Sequence, residues 1–367
     1  MTKANLIHFF YQNILKKIFF KIDPEIIHDH MVKMGKFLGR FSTTRKITKW
    51  LFNYENKKLE QTILGINFPN PIGLSAGFDK NAELTDILPA VGFGFVEVGS
   101  ITGEPCAGNS KPRLWRLPKT KGLVVYYGLK NDGCEKIAAR LATKKFTIPV
   151  GISIAKTNCQ ATADTTAGIA DYVKAANCLK DTGQYITINI SCPNAFGGQP
   201  FTDNERLELL LTKIDEIVFN KPVFLKISPD LNEQELDDVL AVAGRHKIDG
   251  FVCTNLTKKR DQVTILDNNV PEKGGVSGKA ISDLSNKSIA HIYKKTKGQK
   301  IIIGVGGVFS AEDAYQKIKL GASLIQLITG MIYEGPQVIG EINRGLVQLL
   351  EKDGFKNISE AIGKDIH

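Results

Sequence analysis

The chain has 367 residues, 43% of them hydrophobic and 23% charged, which allows a sizeable core and argues against a disordered chain. Its formal charge is +10, but residues 1–50 hold ten Lys/Arg against three Asp/Glu, so +7 of the excess sits in one terminal segment; that points to an anionic membrane surface and away from nucleic acid. Cysteines stand at 106, 134, 159, 178, 192 and 253 with no Cys-x-x-Cys pair and no histidine at zinc-finger spacing, arguing against a zinc, iron–sulfur or disulfide framework and for a reducing compartment.

Residues 5–21 predict one helix, because Leu6, Phe9, Phe10, Ile14 and Ile18 recur at helical spacing with lysines between them. The stretch is broken by His8, Gln12, Asn13, Lys16 and Lys17, so it reads neither as a signal peptide nor as a membrane span. Asp23-Pro24-Glu25 supplies a cap with proline at the first helical position, and a second helix runs to about Leu38 with Ile26, Ile27, Met31, Met34, Phe37 and Leu38 on its apolar face. A third short basic helix follows around residues 46–53. These helices form either a plain cap on a soluble domain or a hairpin whose apolar, basic outer face lies on a membrane; the second is the preferred reading. Residues 1–53 are therefore set apart from 54–367.

From about residue 60 short apolar runs alternate with helical stretches. Eight runs read as strands: Pro71–Ser75, Phe93–Gly99, Val150–Ile154, Tyr185–Ile190, Pro222–Ile227, Gly250–Thr254, Lys300–Val305 and Ser323–Ile328. Most are apolar on both faces, as in buried parallel sheets. Eight strand-then-helix units predict an α/β fold, a closed (β/α)8 TIM barrel with an N-terminal helical extension. An open doubly wound sheet is the alternative, disfavoured because no Gly-x-Gly-x-x-Gly follows the first strand with an acidic residue beyond it.

In such a barrel the chemistry sits at the C-terminal ends of the strands. Polar residues follow every run there, converging on a site for a large polar ligand. Glycine-rich turns end the seventh and eighth runs, at Gly304–Gly307 and Thr329-Gly330, and suit a phosphate; Gly274–Gly278 adds a flexible strip. Lys226 ends a buried run, where it either meets the electron-rich edge of a flavin or snorkels to the rim. Cys192 stands between Asn189 and Asn194, which suit an amide-bearing ring; a cysteine at a strand end is otherwise inert core, and here the asparagines favour a base. Lys80 is placed to neutralise a substrate carboxylate.

Gly73-Leu-Ser-Ala-Gly-Phe-Asp-Lys80-Asn81, Gly92-Phe-Gly-Phe-Val-Glu-Val-Gly-Ser100, Asn109-Ser-Lys-Pro-Arg113, Asn189-Ile-Ser-Cys-Pro-Asn194 and Ile303-Gly-Val-Gly-Gly307 resemble the dihydroorotate dehydrogenases, from about residue 20 to near the C-terminus. Asp23-Pro24-Glu25 with His28, together with Arg113 and Arg116, resembles the quinone-dependent class 2 enzymes, whereas Cys192 stands where those carry serine and is class 1-like. The resemblance implies FMN held by Ala76, Gly77, Ser100, Ser153, Asn189, Lys226, Thr254, Gly278, Gly307 and Thr329, and substrate held by Lys80, Asn189, Asn194 and Asn255. It further implies catalysis by Cys192 and Lys226, quinone contact by His28 and Arg116, and a peripheral protein on the cytoplasmic side of a membrane. Val125 and Leu256 depart from the family, which has asparagine at the first position and threonine or serine at the second. The rival expectations are a related flavoenzyme for another cyclic amide or unsaturated acid, and a non-catalytic flavin-binding barrel.

Overall fold

The computed structural model describes residues 3–366. Eight strands form its centre: β1 (Ile72–Leu74), β2 (Phe95–Ile101), β3 (Val150–Ile154), β4 (Tyr185–Asn189), β5 (Val223–Ile227), β6 (Gly250–Cys253), β7 (Ile301–Val305) and β8 (Leu324–Leu327). They close in the order β6-β7-β8-β1-β2-β3-β4-β5, every neighbouring pair parallel. All eight expected runs are strands of this barrel, so the closed reading holds and the open sheet does not.

The period-two alternation of a strand decides what fills the bore. Phe95, Tyr185, Phe224, Val252, Ile303 and Leu324 point inward at the lower end, where Ile63 and Phe68 of the hairpin Gln61–Ile63/Ile66–Phe68 pack against them. Gly73 and Gly151 are the register partners of Phe95 and Tyr185 on the neighbouring strands, and a Cβ on either would collide with that ring. The glycines thus trade strand propensity for room to fit two large aromatic rings. Truncating such a ring costs about 3–5 kcal/mol.

The N-terminal segment folds as α1 (Lys3–Phe10), α2 (Lys16–Phe19), α3 (Pro24–Gly39) and α4 (Ser42–Phe52). Residues 5–21 are not one regular helix, because a π-helical stretch, Tyr11–Leu15, separates α1 from α2. Its cause lies at the other end of the chain. The Tyr11 hydroxyl donates to the Ile332 carbonyl at 2.7 Å, and the Gln12 amide donates to the Tyr333 carbonyl at 3.0 Å and the Glu334 carboxylate at 2.9 Å. The wider turn aims both side chains at the barrel while Leu6, Phe9, Phe10, Ile14 and Ile18 stay outside. The third helix begins at Ser42, four residues before the expected start.

Asp23 caps α3 by accepting from the Glu25 and Ile26 N–H groups at 2.9 and 3.1 Å, with Pro24 at the first helical position. The next residue, Glu25, is buried against Arg113: Nη2 stands 2.8 Å and Nε 3.1–3.2 Å from the carboxylate oxygens. Arg113 also donates to the Ala107 and Asn109 carbonyls, so this fork ties the cap to the loop before strand Leu114–Leu117.

That strand pairs with Gly122–Val125, which pairs in turn with Gly275–Gly278, giving a three-stranded antiparallel sheet over the barrel mouth. Residues 275–278, expected as flexible, are therefore an ordered strand. Among the described residues no helix is long and apolar enough to cross a membrane.

Candidate active site

The C-terminal ends of the strands, the small sheet and α3 enclose one deep cavity. Its atom-free space, the open mouth included, is about 1260 Å3. Ala76, Gly77, Ser100, Asn189, Lys226, Thr254, Gly278, Gly307 and Thr329 all stand on its wall, together with Lys80, Cys192, Asn194, Asn255 and His28. Two expected residues stand elsewhere. Ser153 lies one layer behind, with its hydroxyl 2.8 Å from that of Ser100, so its link to a ligand runs through Ser100. Arg116 sits at the turn between α2 and α3, donating to the Ile22 carbonyl at 2.7 Å with its guanidinium 4.7 Å from the Phe20 ring centre. His28 and Arg116 are not side by side on the cavity wall.

Lys226 points into the bore from β5. Burial pushes its pKa down, opposed by the negative charges of Glu97 and Cys192. Among the described residues its ammonium finds only the Ser75 hydroxyl, at 3.4 Å. Below it Glu97 is fully buried: one carboxylate oxygen accepts from Tyr185, Thr187 and Gln326 at 3.3, 3.0 and 3.1 Å. Among the described residues the other oxygen, and the side-chain oxygen of Gln326, have no hydrogen-bond partner. Sequence reasoning put Glu97 at the end of the second run without giving it a role and passed over Gln326. The available signal was an acid inside an otherwise apolar strand, a position that demands a nearby cation.

The end of β4 is fixed from several sides. The Asn189 amide donates to Ser100 at 2.9 Å, while its oxygen accepts from Ser191 N–H and hydroxyl at 3.2 and 3.1 Å and from Asn255 at 3.3 Å. The Tyr172 hydroxyl holds the Asn189 carbonyl at 2.7 Å. Cys192 follows, half-buried; desolvation raises its thiol pKa, against the Asn194 N–H and the charges of Lys156 and Lys258. Asn194 donates to the Val125 carbonyl at 2.7 Å, and among the described residues its buried oxygen has no partner. The side chains of Val125 and Leu256 stand on the wall as apolar surface.

Lys80 lies 4.0 Å above the Tyr127 ring and 3.0 Å from His28 Nε2. Burial, reinforced by Lys130, lowers its pKa to about 7. Burial and Lys80 hold His28 well below its ordinary value, so its neutral ring accepts the lysine's hydrogen bond. At the opposite corner Gly278 and Gly307 have φ of +91° and +75°. A Cβ on Gly278 would stand 2.9 Å from Thr329 Cγ2, and one on Gly307 2.5 Å from Ser282 Cβ. Only glycine fits the backbone at these two points, and the bare backbone there would be open to an anion.

A flavin fits this donor set. The glycine corner matches its phosphate, Lys226 offers the ring a cation that has no ion pair within hydrogen-bond reach among the described residues, and Asn194 keeps an acceptor free for a ligand N–H.

Residues 58–350 match the family described as dihydroorotate dehydrogenase. A protein of Natronomonas pharaonis named "Dihydroorotate dehydrogenase (quinone)" is 39% identical over 355 residues, covering 96% of this chain and 99% of that one. A protein of the same name from Nostoc is 39% identical over 361 residues, covering 94% of each. Among solved structures, DHODH of Eimeria tenella in complex with ferulenol superposes with a TM-score of 0.82 at 30% identity, over 94% of this chain and 96% of that one. The chain belongs to the dihydroorotate dehydrogenase family, in its quinone-dependent class.

Proposed function

We propose that the protein oxidises dihydroorotate to orotate on a bound FMN and passes the electrons to a membrane quinone. The observation that carries this is the convergence of Cys192, Lys226, Lys80 and the asparagines 189, 194 and 255 on the wall of one cavity. When bound, the flavin supplies the hydride acceptor.

The side chains would divide the remaining work. Lys80 would pair with the substrate carboxylate, its protonated form favoured by that partner. Asn189, Asn194 and Asn255 would hold the ring amides. Cys192 Sγ, as thiolate, would take the proton from the carbon beside the ring carbonyl, becoming a thiol. Lys226, assisted by Ser75, would balance negative charge gained at the flavin ring. Gly278, Gly307 and Thr329 would carry the phosphate.

Residues 1–53 would serve the second half-reaction. Leu6, Phe9, Phe37 and Trp50 are 59%, 55%, 56% and 66% exposed, among Lys16, Lys17, Lys33, Lys46 and Lys49. Such a face would lie on an anionic bilayer, the cytoplasmic one, and His28 of α3, on the cavity wall, would lie on the route from it. His28 and, further out, Arg116 would meet the quinone head group.

Val125 and Leu256 favour a second reading, another cyclic amide or unsaturated acid, because each leaves a wall position without a hydrogen bond to a polar ring. Anaerobic addition of dihydroorotate to the yellow protein separates the two. The expected result is loss of visible flavin absorbance, restored by a short-chain quinone. Flavin that stays bound and oxidised would overturn dihydroorotate as substrate.

A further inference from the structure

A smaller cavity lies behind Cys192, which borders both it and the main one. Lys156, Tyr172, Ala195 and Gly198 are on its wall. Lys156 follows β3 and is only 3% exposed. Its ammonium donates to the Phe196 carbonyl at 2.8 Å, in the loop that runs on from Cys192. Among the described residues it makes no ion pair within 4.0 Å. The nearby carboxylate, Asp171, is engaged by the Thr157 N–H and hydroxyl at 2.6 and 2.8 Å and by the Gly103 N–H at 3.2 Å.

A buried ammonium bound to a neutral carbonyl alone is poorly compensated. The group that shares its cavity is Cys192, and that thiol has the complementary need. It must become an anion to accept a proton, yet burial opposes the anion. The other cations facing Cys192 are Lys226, which points into the bore, and Lys258, which is exposed and screened by water. Facing Lys156 are Cys192, Cys159 and Asp171.

We infer that Lys156 is the counter-charge of the Cys192 thiolate and, through the Phe196 carbonyl, the anchor that holds residues 195–198 across it. It is a positioning residue: it touches neither substrate nor flavin but sets the fraction of Cys192 in the reactive form. The inference rests on Cys192 being the base.

The test uses flavin-loaded protein and the pH dependence of Cys192 alkylation by iodoacetamide, read by peptide mass from about pH 6 to about pH 10. Lys156→Met should raise the midpoint by roughly one unit or more, a tenfold loss of thiolate at neutral pH, and flavin bleaching by dihydroorotate should shift with it. Lys156→Gln keeps a donor for Phe196 but not the charge, and should shift the midpoint equally. Lys156→Arg should restore it. An unchanged midpoint in the glutamine variant would overturn the inference, whether or not the methionine variant folds. Bleaching that survives Cys192→Ala would instead overturn Cys192 as base, an outcome the alkylation midpoint does not mimic.

Discussion

In the barrel bore Phe95, Tyr185 and Phe224 are at most 3% exposed, whereas in the helical cap Phe9, Phe37 and Trp50 are 55%, 56% and 66% exposed. The same residue types do two jobs. In the barrel, closure of eight strands removes every edge and the rings fill the enclosed volume, aided by Gly73 and Gly151. In the cap, α1–α4 turn an apolar and basic face away from the barrel and hold on by a mixed joint: Val32, Leu38 and Phe20 pack on the core, and Tyr11, Gln12 and the Glu25–Arg113 fork add polar contacts. Apolar area that is sealed reports on stability. Apolar area left outside, on the far side of that joint, reports on what the surface must meet.

The largest effect should fall wholly within the barrel. Cys192→Ala should slow flavin bleaching by dihydroorotate by about 10²–10⁴ while flavin stays bound. Reoxidation of chemically reduced protein by a quinone should be unaffected, since that step belongs to the cap side. Stopped-flow of the two half-reactions separates them, and equal loss in both would break the comparison. Next is the joint. Arg113→Met leaves Glu25 buried without its fork, which costs about 3–5 kcal/mol. The cap should loosen first, so quinone turnover should fall further than bleaching. Adding Glu25→Gln should recover part of the loss; thermal melts and steady-state rates of the single and double variants measure it.

The barrel was legible in the sequence because buried parallel strands are apolar on both faces, and eight such runs could be counted. The strand-end residues of the wall followed from their positions at or just past each run, and Gly278 and His28 from the family resemblance. What was not legible depends on three-dimensional closure. Glu97 and Gln326 meet Tyr185 and Thr187 only across the bore. Gly275–Gly278 becomes a strand because Gly122–Val125, some 150 residues earlier, lies beside it. The π-helical stretch at Tyr11–Leu15 answers to carbonyls at Ile332 and Tyr333. Position along a strand gives height in the barrel but not depth behind its wall, which is why Ser153 stands off the cavity; Arg116 lies on the small sheet over the mouth, and its guanidinium turns to the Ile22 carbonyl of the cap.

A smaller effect tests the line where the two regions meet. Lys80, at the barrel mouth, bonds to His28 of the cap and has a pKa of about 7. Its ammonium form is the one that pairs with a carboxylate. Below that value the free protein already carries the charge. Above it a proton must be taken up on binding, so orotate affinity should fall by up to about tenfold per pH unit as pH rises through it. Titration of the orotate-induced change in flavin absorbance checks this, and Lys80→Met should flatten the profile at weaker binding.

The smallest effect on the fold, and the sharpest on the comparison, belongs to Phe9→Asp and Phe37→Asp. Both rings are more than half exposed. Replacing them removes no core contact, so unfolding free energy should change by no more than about 0.5 kcal/mol each. Bleaching by dihydroorotate should also be unchanged. If the face is seated on lipid, each ring contributes about 1.5–3 kcal/mol of apolar transfer there, roughly a tenfold or greater loss of binding to vesicles containing anionic lipid. Vesicle co-sedimentation at fixed salt reads that loss, and turnover of a long-chain quinone in the same vesicles should fall in parallel. A variant that still sediments but melts far lower would place these rings in the core of the cap, and the contrast with Phe95 and Phe224 would disappear.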